Sequence, residues 1–235
     1  EFDKLGISGY SVTIPHKEAV LDFCDAPDEL TDLIGAANTL YRHDGQWIAT
    51  NTDASAALDS IMLGLSQSPT STPDLVGRKV LILGAGGVAR AIGRALCDKG
   101  AAVVVANRSR ERGKALAAEL GCQHVMWENR GAEMCEILIN CTSVGMFPKM
   151  NETPFEAHWL NESALVFDTV YNPEQTLLLK EARERGCTVV SGVEMFVRQA
   201  ARQFELFTGQ AAPIDYMAET MRRAMSAARG AASAS

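Results

Sequence analysis

Two polar residues stand where proton chemistry can be done. Lys17 follows Ser11-Val-Thr-Ile-Pro-His16, and Asp53 ends the run Thr50-Asn51-Thr52-Asp53. Both fall where a strand pattern gives way to a helix pattern, the kind of place where catalytic groups gather. An ammonium and a carboxylate facing each other across a cleft form a proton-transfer unit. The carboxylate favours the charged amine, which can protonate a carbonyl oxygen during hydride delivery and take the proton back in reverse. Taken alone, Lys17 reads as a solvated residue in a helix first turn, and Asp53 as a helix N-cap. A third feature lifts the chemical reading: Gly84-Ala85-Gly86-Gly87-Val88.

That run sits between an unbroken apolar stretch, Val80 to Leu83, and an Ala-rich helix pattern to about Asp98. Strand, glycine turn and helix in this order seat a dinucleotide pyrophosphate. Gly84 permits the tight turn, Gly86 lets the backbone approach phosphate, and free N–H groups at the helix start point at the anion. Ala89 stands where the third glycine usually falls and is still small. A glycine match alone is weak, because tight turns also occur in ligand-free α/β proteins. The second strand, Ala102 to Ala106, strengthens it. After that strand, where NAD binders carry an acidic residue for the ribose 2′-hydroxyl, the chain has Asn107, Arg108 and Ser109, with Arg112 one turn on. Guanidinium groups bind a 2′-phosphate with charge-assisted hydrogen bonds worth roughly 1.5–3 kcal/mol each. Basic residues at a helix start oppose its dipole, so an anion there relieves a misfit. The reading is NADP rather than NAD.

The elements that must position these residues follow from the wider pattern. The chain has 235 residues, enough for one large domain or two modest ones. Formal net charge is −7 and no long basic run occurs, which argues against nucleic acid and against an anionic membrane surface. No apolar run approaches a membrane span, and Glu1-Phe2-Asp3-Lys4 does not resemble a signal peptide. The six cysteines are scattered without CxxC pairs, so they read as reduced thiols of a cytoplasmic protein, and neither they nor the four histidines show metal spacing.

Gly9 to Ile14 reads as a strand, Pro15 as a helix start with Val20, Leu21 and Phe23 inward, and Asp28 to Ile34 as a short helix. A strand from Gly35 to Tyr41, the hairpin signal Asp44-Gly45 and a strand from Trp47 to Ala49 follow. A helix covers about Ala54 to Leu65, and Ser66 to Asp74 reads as a surface linker. From Val76 strands and helices alternate, which implies a parallel sheet with right-handed crossovers. Further strands are expected at 122–126, 137–141, 164–168 and 188–191, with helices at 109–120 and 174–185. Beyond Gly192, Val193, Phe196, Val197, Ala200, Phe204 and Phe207 repeat at helical spacing. A last helix runs from about Pro213 to Arg229, and Gly230 to Ser235 reads as an unstructured tail. The fold class expected is α/β: a Rossmann-type parallel-sheet cofactor domain, residues 54–191, and a smaller α/β substrate domain, residues 1–53 and 192–235. Substrate would lie in the cleft between them. Because the pattern opens on a strand with nothing before it, residues upstream are expected.

Several motifs together resemble shikimate dehydrogenases: Gly9-Tyr-Ser-Val-Thr-Ile-Pro-His-Lys17, Gly35-Ala-Ala-Asn-Thr39, Asn51-Thr-Asp53, Gly84-Ala-Gly-Gly87, Asn107-Arg-Ser109, Asn140-Cys-Thr-Ser-Val-Gly-Met146, Val170-Tyr-Asn-Pro173 and Gly192-Val-Glu-Met-Phe-Val-Arg-Gln199. They occur in the family's order over nearly the whole chain. The resemblance implies reduction of 3-dehydroshikimate to shikimate with NADPH, in aromatic amino acid biosynthesis. It implies that Lys17 and Asp53 are the catalytic pair, and that Thr13, Asn38, Asp53, Tyr171 and Gln199 bind a small-molecule substrate. Cofactor contacts carried over are Gly84, Ala85, Gly86, Gly87, Val88, Asn107, Arg108, Ser109, Arg112, Thr169, Gly192 and Met195, with Thr142 in the segment beside the nicotinamide. Taken alone, Gln199 is a polar position on an apolar helix and Tyr171 a strand-end residue. Three departures stand out: the family's serine-rich, carboxylate-binding motif has no counterpart here, Ala56 replaces a glycine, and Ser11 replaces an asparagine of many bacterial members. The Ser11 form, with Phe204-Glu-Leu-Phe-Thr-Gly209, resembles versions fused behind a 3-dehydroquinate dehydratase. Quinate/shikimate dehydrogenase using NAD, and a non-catalytic NADP-binding module, are the competing readings. Monomer and homodimer are both left open.

Overall fold

The computed structural model describes residues 6–13, 15–68 and 72–232. The readings of Glu1 to Lys4, of Ile14 as a strand residue, of the middle of the linker and of residues 233–235 lie outside the described residues.

The chain opens with strand β1 (Gly9–Ser11) and then turns through Pro15 to Glu18. The helix expected at Pro15 does not form there. The Lys17 carbonyl accepts from the Ala37 amide at 2.8 Å, so it is committed to a neighbouring segment instead of a helical ladder. A single 3-10 helix, Ala19–Phe23, follows. Its tighter turn buries Val20 but leaves Phe23 74% exposed, so Phe23 is not an inward residue. Strand β2 (Ala26–Pro27) and helix α1 (Glu29–Ile34) come next, α1 being capped by Asp28, which accepts from the Thr31 amide. Strands β3 (Thr39–His43) and β4 (Gln46–Thr50) form a hairpin on Asp44-Gly45, both with positive φ as the tight turn demands. The order β1-β3-β4-β2 gives a four-stranded mixed sheet, with β2 parallel to β4 and the other pairs antiparallel.

Helix α2 (Thr52–Gln67) starts on the Asn51-Thr52-Asp53 motif and continues as an apolar rod. Asn51, not Asp53, is its N-cap, because the Asn51 side chain accepts from the Ala54 amide. Asp53 is thereby left free for other work. The helix extends past Ser66, which shortens the linker.

The second sheet begins with β5 (Lys79–Leu83), followed by α3 (Gly87–Asp98), β6 (Ala102–Asn107), α4 (Arg110–Leu120) and β7 (Gln123–Met126). Then come β8 (Ile137–Asn140), β9 (Leu165–Asp168), α5 (Leu177–Glu184) and β10 (Thr188–Val190). All neighbours are parallel, in the order β10-β9-β8-β5-β6-β7. The apolar run of β5 is explained by burial on both faces. Val80 and Ile82 pack with residues of α2, α3 and α4, while Leu81 and Leu83 pack with α5 and Phe155. Two 3-10 turns, Trp127–Ala132 and Ala157–Trp159, were not expected from the sequence. Helix α6 (Gly192–Thr208) returns to the first sheet, and α7 (Ile214–Ala232) packs on α6. Helix α7 thus includes the first three residues of the supposed tail.

Candidate active site

A cavity of about 360 Å³ opens between the two sheets. From the first sheet side it is lined by Thr13, Lys17 and Asn38, from the start of α2 by Asp53, and from α3 by Val88. Thr169 and Tyr171 line it from the segment after β9, and Gly192, Met195 and Gln199 from the first two turns of α6. Residues scattered from position 13 to position 199 therefore meet in one place.

At its centre Lys17 Nζ donates to Asp53 Oδ2 at 2.6 Å, with side chains 24% and 15% exposed. Asp53 sits in the first turn of α2, where the helix dipole favours its charge. No hydrogen bond to Asp53 Oδ1 occurs among the described residues. The pair can thus hold a proton at Nζ, keep it oriented, and still offer a carboxylate oxygen to a hydroxyl.

The C-terminal ends of β5 and β8 mark the point where strand order reverses, the place where parallel sheets of this kind bind ligands. Gly84 has φ +113°, and a Cβ there would stand 3.0 Å from the Cys141 carbonyl oxygen and 3.3 Å from Thr142 Cγ2. Gly86 and Gly87 differ: a Cβ on either would meet nothing within 4 Å. Glycine at these two positions keeps a space clear that no protein atom fills. Gly86 is also the N-cap of α3 and provides no side-chain cap, so the first amides of α3 await an anion. This open, donor-rich cradle fits a pyrophosphate. Beyond it, Asn107 Nδ2 donates to the Ser109 carbonyl, and Ser109 caps α4. Arg108 and Arg112 are exposed and form no ion pair among the described residues, which fits a 2′-phosphate at this corner.

Between cradle and cavity lies a buried polar network. Asp168 Oδ1 accepts from Asn140 Nδ2 at 2.9 Å and from the Val170 amide at 3.0 Å, and Oδ2 accepts from Thr176 at 2.7 Å. Asn140 Oδ1 in turn accepts from the Thr142 amide and hydroxyl. Burial pushes the Asp168 carboxyl up to about 6, against the pull of those donors. Burial likewise raises the Cys141 thiol, keeping it protonated beside the site. Gly192 closes the arrangement: a Cβ there would lie 2.5 Å and 2.6 Å from the Val170 and Thr169 carbonyl oxygens. Only glycine lets α6 start against that backbone.

The sequence reading placed substrate and catalytic residues in one cleft, and all of them line the cavity. Of the residues expected to contact cofactor, Val88, Thr169, Gly192 and Met195 line it too. Gly84 to Gly87, Asn107 to Arg112 and Thr142 lie outside its lining, at or just beyond the C-terminal ends of β5, β6 and β8. Gln203 and Thr52 were missed. Gln203 lies one turn beyond Gln199 and lines the cavity; its signal was a glutamine four residues on, along the same helix face. Phe196, one of the apolar residues repeating at helical spacing, is 40% exposed and packs on Tyr171 with ring centroids 5.1 Å apart. Among the described residues no helix is long and apolar enough to cross a membrane, and no group of three His, Cys, Asp or Glu stands together to hold a metal ion.

Known proteins resemble this chain in sequence and in fold. The model of the shikimate dehydrogenase substrate binding domain matches residues 1–40, that of shikimate / quinate 5-dehydrogenase residues 66–152, and that of the shikimate 5′-dehydrogenase C-terminal domain residues 192–222. The chloroplastic bifunctional 3-dehydroquinate dehydratase/shikimate dehydrogenase of Arabidopsis thaliana is 45% identical over 217 residues, which is 88% of this chain and 36% of that protein. The NADP(+) shikimate dehydrogenase of Shouchella clausii is 39% identical, across 87% of this chain and 74% of its own. The crystal structure of Thermus thermophilus shikimate 5-dehydrogenase with NADP(H) and shikimate superposes with a TM-score of 0.80 at 34% identity, covering 92% of this chain and 79% of that one.

Proposed function

The chain belongs to the shikimate dehydrogenase family, and on that premise we propose that it reduces 3-dehydroshikimate reversibly to shikimate with NADPH. The observation that carries this is the Lys17–Asp53 pair, bridging two elements inside a cavity that also touches the cofactor-side residues Val88 and Thr169. NADPH, when bound, supplies the hydride.

Lys17 holds a proton at Nζ and gives it to the substrate oxygen that becomes the ring hydroxyl. Asp53 keeps that ammonium in place and accepts from a neighbouring hydroxyl through Oδ1. Thr13, Asn38, Tyr171 and Gln199 supply the polar contacts that a small polyhydroxy acid requires, so analogues lacking a hydroxyl leave buried groups unpaired. Gly84 to Gly87 hold the pyrophosphate, and Arg108 with Arg112 the 2′-phosphate. Asn107, Ser109, Thr142, Thr169, Gly192 and Met195 complete the cofactor wall. We divide the chain accordingly, with residues 1–53 and 192–235 on the substrate side and 54–191 on the cofactor side. The six free cysteines favour a reducing compartment such as the cytoplasm. The identity to the plant protein supports a covalent dehydratase partner, which the intact mass of the native protein would reveal.

The test is nicotinamide absorbance with shikimate and with quinate, each with NADP and NAD. Turnover restricted to shikimate plus NADP supports the reading. Turnover of quinate with NAD overturns substrate and cofactor together. Cofactor binding without any turnover favours a regulatory module.

A further inference from the structure

Thr52 does not line the cavity, yet it grips a residue that does. Asn38 is 3% exposed, and its Oδ1 accepts three times: from the Thr52 amide at 2.8 Å, the Thr52 hydroxyl at 3.1 Å and the Thr39 hydroxyl at 2.8 Å. Its Nδ2 donates back to Thr52 Oγ1 at 2.9 Å. A backbone N–H can only donate, so the atom facing the Thr52 amide must be the amide oxygen. The amide contact selects which way round the Asn38 side chain lies, and the Thr52 hydroxyl, which takes one Asn38 N–H and gives its proton to Oδ1, clamps it there. The amide contact also satisfies an N–H of the first turn of α2, which has no partner within its own helix. From the other side, Gln203 Nε2 holds the Asn38 carbonyl at 3.1 Å and Thr39 Oγ1 at 2.9 Å.

With the oxygen saturated and one N–H spent on Thr52, Asn38 has a single N–H left. We infer that Thr52 is a positioning residue that makes Asn38 a donor, and only a donor, to the substrate. This rests on the dehydrogenase reading above. A substrate hydroxyl at this place accepts from Asn38 and must send its own proton elsewhere, and the free Asp53 Oδ1 is the acceptor at hand. A flipped Asn38 would present its oxygen instead and leave two acceptors competing for one proton. Thr52 therefore selects against that state without touching the substrate.

The test compares Thr52→Val, which keeps the shape and the amide but removes the hydroxyl, with Thr52→Ser, which keeps the hydroxyl. In Thr52→Val the KM for shikimate should rise about tenfold, the fold-change of one lost hydrogen bond, while the KM for NADP stays within about twofold. Thr52→Ser should bring the shikimate KM back to within about threefold of the wild type. Thr52→Ala carries the same expectation as the valine variant should the latter fail to fold. A merely structural role would lower Tm and active fraction without separating the two KM values, and that result overturns the inference. So does a serine variant no better than valine. If the wild type turns over shikimate and the Val or Ala variant keeps its KM, only the role of Thr52 falls. If the wild type turns over neither shikimate nor quinate, the dehydrogenase reading falls and this inference with it.

Discussion

Replacing Asp168 by asparagine should change how stability depends on pH more than it changes activity at neutral pH. Asp168 is fully buried, and burial raises its carboxyl from an ordinary 3.8 to about 6. The folded state thus holds this proton more tightly than the unfolded chain does. Stability from this group is complete below about pH 3.8 and is lost as pH rises through about 6. With those two values the cost is about 1.6 kcal/mol at pH 5 and about 3 kcal/mol at pH 8, a difference of about 1.4 kcal/mol. The asparagine in the variant cannot titrate, and it would place an amide against Asn140 Nδ2 or Thr176, so the variant starts with a fixed penalty. The fixed penalty is a constant offset between the wild-type and variant curves and drops out of the change in their difference with pH. Urea unfolding at pH 5, 6, 7 and 8 for both proteins would show it. The stability of Asp168→Asn relative to the wild type should rise by about 1.4 kcal/mol from pH 5 to pH 8. Parallel curves would mean that Asp168 titrates alike in both states, and the account of its burial would be wrong.

Three further outcomes are expected. Lys17→Ala should lower kcat by about 10²–10⁴-fold, the usual contribution of a positioned acid, while NADP affinity by fluorescence titration changes little. Arg108→Ala should raise the Kd for NADP by about tenfold or more and leave that for NAD nearly unchanged; equal losses would remove the 2′-phosphate assignment. Gly86→Ala, whose new methyl meets nothing within 4 Å, should keep the wild-type Tm but lose cofactor affinity, whereas Gly192→Ala, whose methyl meets backbone oxygens at 2.5 Å and 2.6 Å, should lose several degrees of Tm.

The parallel sheet was legible because β5, β8 and β9 are buried on both faces and so read as unbroken apolar runs. The cradle was legible because its glycines are defined by local geometry. What stayed hidden was set by distant partners. Nothing near Pro15 announces that the Lys17 carbonyl is bound by Ala37, so a helix was expected where a turn and a 3-10 segment stand. Thr52 received no role of its own in the Asn51-Thr52-Asp53 motif, because its partner Asn38 lies 14 residues back. The capping role suggested for Asp53 passed to Asn51 for the same reason: Asp53 is pulled toward Lys17, 36 residues away. Phe23 and Phe196 fitted an apolar stripe by type, but the 3-10 turn and the cavity put them outside.

The bond between Gln203 and Asn38 spans 165 residues. On the ribosome, at roughly 5–20 residues per second, strands β3 and β4 emerge about 8–30 s before the helix they lean on. During that interval the parallel sheet, whose partners are near in sequence, can already close around its glycine turn. The substrate side is then the last part of the molecule to become itself. A nascent chain can therefore complete its glycine turn before its cavity has the wall that α6 provides.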